Sequence, residues 1–131
     1  MKKTRLLHAE LSGLIARLGH GDMLVIGDAG LPIPEGIQRI DLAVTANLPR
    51  FIDVVDAVLS EMCVESAVIA VEIQGRNPGV ELELRAKLGA TPVSLVPHED
   101  LKALSAKARA IVRTGEFSPY ANVILRSGVV F

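Results

Sequence analysis

His20 and Asp28 are the two side chains of this sequence best suited to moving a proton. They bracket the apolar run Met23–Ile26, which has the length and composition of a buried strand. Residues 27–30 (GDAG) follow this run, and their small side chains allow the backbone to bend sharply. Open α/β sheets bind their ligands just outside the carboxyl ends of the strands. We therefore predict that His20 and Asp28 face a common cleft.

A second polar segment, residues 113–122 (RTGEFSPYAN), directly follows another apolar run. In extended backbone the side chains at i and i+2 share one face, so Tyr120 and Asn122 would present a phenol and an amide together. These groups donate and accept hydrogen bonds as vicinal hydroxyls require. Arg113 and Glu116 are interpreted as an ion pair that supports the loop. The segment predicts a polyol-binding surface, although Tyr120 would also suit a subunit interface.

Structural roles compete with each of these chemical ones. His20 follows a helix-ending glycine and would serve as a C-terminal cap, and Asp28 would stabilise its own turn. His98, followed by two acidic residues, would simply begin a helix. A zinc site built from the three histidines has no supporting ligand spacing, so no metal site is predicted. The GDAG segment also lacks the spacing of a dinucleotide fingerprint.

The composition of the 131 residues predicts one domain, residues 1–131, that associates with copies of itself. The mean hydropathy of +0.39 is high for a small monomer. No apolar run approaches the roughly 20 residues that cross a bilayer, so we assign the surplus to the interfaces of a homo-oligomer and predict no membrane contact. The net charge of −1, without a basic stripe, argues against nucleic acid as a partner.

The first residues and the cysteine content predict a cytoplasmic protein. Met1-Lys2-Lys3 is not followed by the clean apolar block of an export signal. Cys63 is the only cysteine, which excludes an intrachain disulfide and fits a reducing compartment. Because its neighbours are apolar, we predict that Cys63 fills the core.

Helices and strands alternate along the whole chain. Strands are predicted at Met23–Ile26, Ile37–Leu42, Ala67–Val71, Pro92–Val96, Ala110–Arg113 and Asn122–Leu125. Helices are predicted over Leu7–Leu18, from a cap at Asn47 with Pro49 in the first turn to Met62, from Asn77 to Leu88, and from Pro97. This order predicts an α/β fold, a single three-layer domain with a mostly parallel sheet flanked by helices.

Three segments strongly resemble the D-ribose pyranase family, which is related to the L-fucose mutarotases. They are LGHGDMLVIGDAGLPIP, RTGEFSPYANVIL and the closing SGVVF. The resemblance extends from Met1 to Phe131 and implies a ribose pyranase-like fold. It also implies an isomerase of ribose catabolism that interconverts the pyranose and furanose rings of ribose without a cofactor. The family's subunits form cytoplasmic decamers of two pentameric rings.

The same resemblance implies roles for particular residues. His20 would be the catalytic acid, and the sugar would contact Asp28, His98, Tyr120, Ala121 and Asn122. Some positions depart from the residues that are common in the family, namely His8, Gly21, Gly27 and Gln74. None of these departures removes a proposed functional group, but together they leave the preferred sugar open.

The chemistry of ring exchange agrees with these residues. Opening the ring takes a proton from the anomeric hydroxyl and gives one to the ring oxygen. A histidine titrates near neutrality, and general acid–base help contributes about 10²–10⁴-fold. Two alternatives stay open: a mutarotase of another sugar such as L-fucose, and a non-enzymatic sugar-binding or phosphocarrier module with His20 as acceptor. No recognisable phosphocarrier context surrounds His20.

Overall fold

The computed structural model describes all of residues 1–131. Its strands are β1 (Met23–Gly27), β2 (Gln38–Asp41), β3 (Val64–Ala70), β4 (Val93–Val96), β5 (Ala110–Arg113) and β6 (Val123–Ser127). Its helices are α1 (Ala9–Arg17), α2 (Phe51–Leu59), α3 (Ile73–Arg76), α4 (Pro78–Leu88) and α5 (His98–Ser105). None of these helices has the length and apolar character needed to cross a membrane.

The six strands form one mixed sheet in the order β2-β5-β1-β6-β3-β4. The pairs β1–β5, β2–β5 and β3–β4 are parallel, whereas β6 is antiparallel to both β1 and β3. The prediction of a mostly parallel sheet is confirmed, with β6 as the one reversed strand. The segment that joins β5 to β6 contains no helix, and a parallel connection normally requires a crossover of a dozen or more residues.

Apolar side chains cover both faces of the sheet, which confirms the three-layer arrangement. On one face a cluster of 22 buried residues includes side chains of α1, α2 and α4. On the other face a cluster of eight includes Leu101 of α5 and Leu31 of the loop after β1. In β1, Leu24 and Ile26 belong to the first cluster and Val25 to the second. This central strand is therefore buried on both sides, as strands between helical layers are.

The start of α2 differs from the prediction. The helix begins at Phe51, with Arg50 at the cap position, so Pro49 lies outside it and Asn47 does not cap it. Asn47 has φ +60°, a left-handed conformation that asparagine tolerates. Its side-chain oxygen accepts a hydrogen bond from the backbone N–H of Phe117 at 3.0 Å. Asn47 therefore ties two loops together instead of beginning a helix.

Cys63 also differs from the prediction, because its side chain is exposed. It lies in the short connection between α2 and β3, where only the preceding Met62 reaches the core. The thiol donates to the carbonyl of Val129 at 3.4 Å, beside the carboxyl terminus. Apolar neighbours in sequence did not indicate burial here, because the chain turns at this point.

His8, one of the departures from the resembling family, stands at the cap position of α1. Its Nδ1 accepts the backbone N–H of Leu11 at 3.3 Å, which satisfies one of the free donors of the first turn. The imidazole thus caps the helix, as a side-chain oxygen does at most helix N-termini.

Candidate active site

The strand ends bring most of the predicted sugar-binding residues to one edge of the sheet. Ile26 of β1 and Ile69 of β3 both pair with Val123, the first residue of β6. Asn122 therefore lies between the carboxyl ends of β1 and β3, next to Asp28. The carboxyl end of β4 leads directly to His98, which begins α5. By the carboxyl edge we mean the end of the sheet at which the parallel strands terminate, and we call this group of residues the carboxyl-edge site.

Asp28 is held in place by Asn122 and by its own turn. The Asp28 backbone N–H donates to Asn122 Oδ1 at 2.9 Å, and Asn122 Nδ2 donates to Asp28 Oδ2 at 3.0 Å. Asp28 Oδ1 accepts the N–H of Gly30 at 2.9 Å, the turn interaction that was considered from sequence. Asn122 is fully buried, so both of its polar atoms support Asp28, whose carboxylate stays half-buried at the site.

Tyr120 does not share a face with Asn122 in the way the i, i+2 spacing suggested. Its φ of +58° takes the chain out of the extended conformation on which that argument depends. The ring instead packs edge-on against His98, with ring centroids 5.1 Å apart and an interplanar angle of 83°. Ala121, the residue between, is buried against the core.

His98 is fixed by Glu72 and carries one buried polar atom without a partner. The His98 backbone N–H donates to both carboxylate oxygens of Glu72, at 3.1 and 3.0 Å. His98 Nδ1 is buried and makes no hydrogen bond within the chain. Because buried polar atoms are nearly always paired, this unpaired nitrogen is an exception within the chain.

A cavity of about 400 Å³ opens beside Asp28, lined by residues 28–30 and 116–119. Glu116 supports its far wall by accepting the backbone N–H of Phe51 at 2.9 Å and the hydroxyl of Ser118 at 2.6 Å. Asn77 Nδ2 donates to the same hydroxyl at 2.8 Å. The sequence analysis missed the supporting roles of Asn77 and Ser118, for which only their polar character in turn-rich segments gave a signal.

The predicted ion pair between Arg113 and Glu116 is absent. The Arg113 guanidinium instead binds Asp41 of the neighbouring strand β2 through two nitrogens, at 3.0 and 2.7 Å. This contact lowers the pKa of Asp41 and raises that of Arg113. Register decides the partner, because β2 and β5 are parallel and Asp41 stands directly opposite Arg113.

His20 lies at the other edge of the sheet, so the predicted cleft shared with Asp28 within one chain is wrong. The two residues stand at opposite ends of β1, whose five residues span about 16 Å at 3.3 Å per residue. The His20 imidazole is 62% exposed, and its Nε2 lies 2.7 Å from Glu65 Oε2. Residues that bracket a strand are separated by the length of the strand, and one pentose cannot reach both.

Comparison with known proteins places this arrangement in a family. Residues 1–130 match the model of the RbsD / FucU transport protein family. The chain belongs to this family. It is 57% identical over 131 residues to the D-ribose pyranase of Symbiobacterium thermophilum, with all of both chains covered.

Two solved structures resemble the chain along its whole length. The structure of Bacillus subtilis RbsD complexed with D-ribose is 42% identical, with a TM-score of 0.97 and all of both chains covered. The fucose mutarotase from Streptococcus pneumoniae, in complex with L-fucose, is 28% identical with a TM-score of 0.83 and the same coverage. The second likeness is weaker in both measures.

Acid is expected to destabilise this family member, because several half-buried carboxylates depend on their charge. The backbone N–H of His98 lowers the pKa of Glu72 below its ordinary 4.5, and that of Gly19 lowers the pKa of Asp22 below 3.8. A depressed folded-state pKa contributes stability that is present above the unfolded value and is lost as pH falls through the folded one. The free energy of unfolding should therefore decrease from about pH 4.5 downward. Urea unfolding at pH 7, 4.5 and 3.5 measures this decrease.

The Glu72→Gln variant separates this contribution from the rest. It should be less stable than the wild-type protein at pH 7 and lose less stability between pH 4.5 and 3.5. Equal acid sensitivity of the two proteins would contradict the role assigned to the Glu72 carboxylate.

Proposed function

We propose that this protein is a D-ribose pyranase, an isomerase that interconverts β-D-ribopyranose and β-D-ribofuranose. The observation that carries the proposal is the 57% identity, over the full length of both chains, to the D-ribose pyranase of Symbiobacterium thermophilum. The similarity to RbsD complexed with D-ribose supports the same sugar. The activity would feed ribose to catabolism and would need neither metal nor cofactor.

The carboxyl-edge site supplies groups suited to holding a pentose. Asp28 presents a carboxylate that accepts hydrogen bonds from hydroxyls, and its orientation is fixed by Asn122. His98 offers its unpartnered Nδ1, and Tyr120 offers a phenol beside the same ring. Preorganised polar groups of this kind hold a ring in one orientation while it reacts.

The proposed reaction conserves protons overall. In opening, the anomeric hydroxyl loses a proton, the bond from C1 to the ring oxygen breaks, and that oxygen gains a proton. After rotation about a carbon–carbon bond, a different hydroxyl attacks the aldehyde, loses its proton, and the aldehyde oxygen gains one. We assign His20 to one of these transfers, because an imidazole can act as a general acid or a general base.

We infer that His20 reaches the sugar from a neighbouring copy of the chain. Within one protomer His20 and the carboxyl-edge site lie at opposite edges of the sheet, so a site with both groups needs two protomers. Each edge carries exposed apolar side chains of the kind that protein interfaces bury. Val44, Leu48 and Phe117 are exposed beside the Asp28 cavity, while Val130 and Phe131 are exposed at the chain end that follows β6.

An interface that joins two different edges of the same chain is head-to-tail, and such an interface forms a ring when the rotation between neighbouring copies closes. A pentameric ring, paired into a decamer, is the assembly we propose for this protein. We also place it in the cytoplasm, where the exposed thiol of Cys63 would stay reduced.

Saturation-transfer NMR of ribose tests the activity directly. Saturating the anomeric signal of β-ribopyranose should reduce the β-ribofuranose signal when the protein is added and leave it nearly unchanged in buffer alone. L-fucose serves as the matched sugar, because its anomers exchange through the same opening step. Exchange of fucose but not of ribose would replace the pyranase assignment with a fucose mutarotase.

The phosphocarrier alternative is not favoured by the surroundings of His20. The carboxylate of Glu65, 2.7 Å from Nε2, would repel a phosphoryl group transferred to that nitrogen. Incubation with phosphorylated carrier proteins should therefore leave the mass of this protein unchanged.

A further inference from the structure

Glu65 is the hydrogen-bonding partner of the His20 imidazole, with its Oε2 2.7 Å from Nε2. A neutral imidazole carries one N–H, so its other nitrogen is an acceptor. We infer that Glu65 is a positioning residue, which accepts the N–H of Nε2 and leaves Nδ1 as the nitrogen that faces the sugar. This inference rests on the proposed function and adds to it the tautomer that performs the transfer.

The backbone around Glu65 is built to direct its side chain. β3 and β6 pair regularly from Ser66 onward, but the register shifts between Val64 and Ser66, so Glu65 occupies a bulge. Bulges re-aim a side chain that a regular strand would point elsewhere, and they are frequent beside active sites. Gly128 completes the arrangement, because a Cβ at that position would lie 3.1 Å from the Glu65 Cβ.

The His20 turn is anchored to the strand that pairs with the Glu65 segment. The N–H of Gly21 donates to the carbonyl of Ser127 at 2.8 Å, and the N–H of Ser127 donates to the carbonyl of Asp22 at 2.8 Å. Ser127 in turn pairs with Val64 in β3. The imidazole and the carboxylate are therefore held on either side of β6, with His20 in the turn before β1 and Glu65 in β3.

The other charged groups near the turn have partners of their own. Asp22 accepts the N–H of Gly19 at 2.9 Å and pairs with Arg109 at 3.0 Å. Arg126 donates to the carbonyl of Gly21 at 3.3 Å. Glu65 is thus the carboxylate that stabilises His20 when the ring holds the transferred proton.

Solvent exposure sets the strength of this contact. His20 is 62% and Glu65 38% exposed in one protomer, and exposed pairs contribute little in water. A neighbouring copy that covers His20 would lower the local dielectric and strengthen the same contact. The pair therefore acts most strongly where the shared site is formed.

Two substitutions separate the positioning role from a structural one. Glu65→Ala removes the acceptor, and kcat for ribose exchange should decrease by about 10-fold or more, up to the 10²–10⁴-fold that general acid–base catalysis contributes, while KM changes little. Glu65→Gln keeps an acceptor oxygen without the charge, so it should retain more activity than Glu65→Ala. Glu83→Ala, an exposed glutamate on α4, is the matched control and should keep the wild-type kcat.

Nitrogen-15 NMR of the imidazoles reads the tautomer independently of activity. The protein has three histidines, and the His20 signals are those lost in His20→Ala. Above neutral pH the wild-type protein and Glu65→Gln should show His20 with the proton on Nε2, and Glu65→Ala should show a mixture. An unchanged tautomer or an unchanged kcat in Glu65→Ala would overturn the inference. Absence of ribose exchange in the wild-type protein would instead overturn the proposed function, while the tautomer comparison would still decide the His20–Glu65 contact.

Discussion

Replacing His20 with alanine is expected to lower the rate of ribose ring exchange by about 10²–10⁴-fold, the usual contribution of a general acid or base. Ribose affinity should change little, because the groups that hold the sugar lie at the opposite edge of the sheet. Saturation-transfer NMR at several ribose concentrations gives kcat and KM, and titration of ribose into the variant gives its affinity.

The matched control is His8→Asn, which removes an exposed imidazole and keeps a side chain able to cap α1. It should exchange ribose at the wild-type rate and unfold at the wild-type temperature. If His20→Ala exchanges ribose as fast as the control, His20 has no part in the chemistry. Loss of ribose binding together with loss of exchange would show that His20 holds the sugar instead of moving its proton.

The parts of the fold that follow from local rules could be predicted from the sequence. Asn77 occupies the cap position of α4, Pro78 lies in its first turn and Gly89 ends it, although the Asn77 side chain bonds Ser118 and not the helix. The apolar run at Leu24–Ile26 forms a strand buried on both faces. The reversed direction of β6 also agrees with a local rule, because the helix-free connection from β5 is too short for a parallel crossover.

The candidate site divides along the same line. Spacing placed Asp28 and the segment with Asn122 after apolar strands, and the carboxyl edge of the sheet brings them together with His98, which the family resemblance alone proposed as a sugar contact. The partners of Arg113 and His20 could not be predicted, since Asp41 and Glu65 are 72 and 45 residues away in sequence. Such pairs are set by strand register and, for Glu65, by a bulge. Neither feature can be recognised in the pattern of apolar and polar residues.

The sequence predicts that His20 and Asp28 meet because both flank β1. Residues at the two ends of an extended strand are instead separated by its length. A cleft that contains both side chains therefore cannot form within one chain and would need two neighbouring protomers. Of the two edges, the one with Asp28 carries the cavity and the one with His20 carries the exposed chain end. The shared site therefore predicts that each active site contains residues of two protomers.

Mixing two inactive variants should therefore restore activity. Asp28→Asn retains His20, and His20→Ala retains Asp28, so a neighbouring pair of the two variants rebuilds one complete site. In randomly mixed head-to-tail rings with equal amounts of each variant, about one quarter of the sites, one half times one half, receive both intact groups. Co-expression of the two tagged variants, purification of the mixed assembly and ribose saturation transfer measure this fraction.

The doubly substituted chain, His20→Ala with Asp28→Asn, provides the discriminating control. Mixed equally with the wild-type chain, it should leave about one quarter of the activity if sites are shared between neighbours, but about one half if each chain holds its own site. The mixture of the two single variants and the mixture of the double variant with the wild-type chain have the same fraction of active sites only when His20 and Asp28 come from different protomers. An inactive mixture of the single variants, with half activity in the control, would place His20 and Asp28 in one chain's site and refute the shared arrangement.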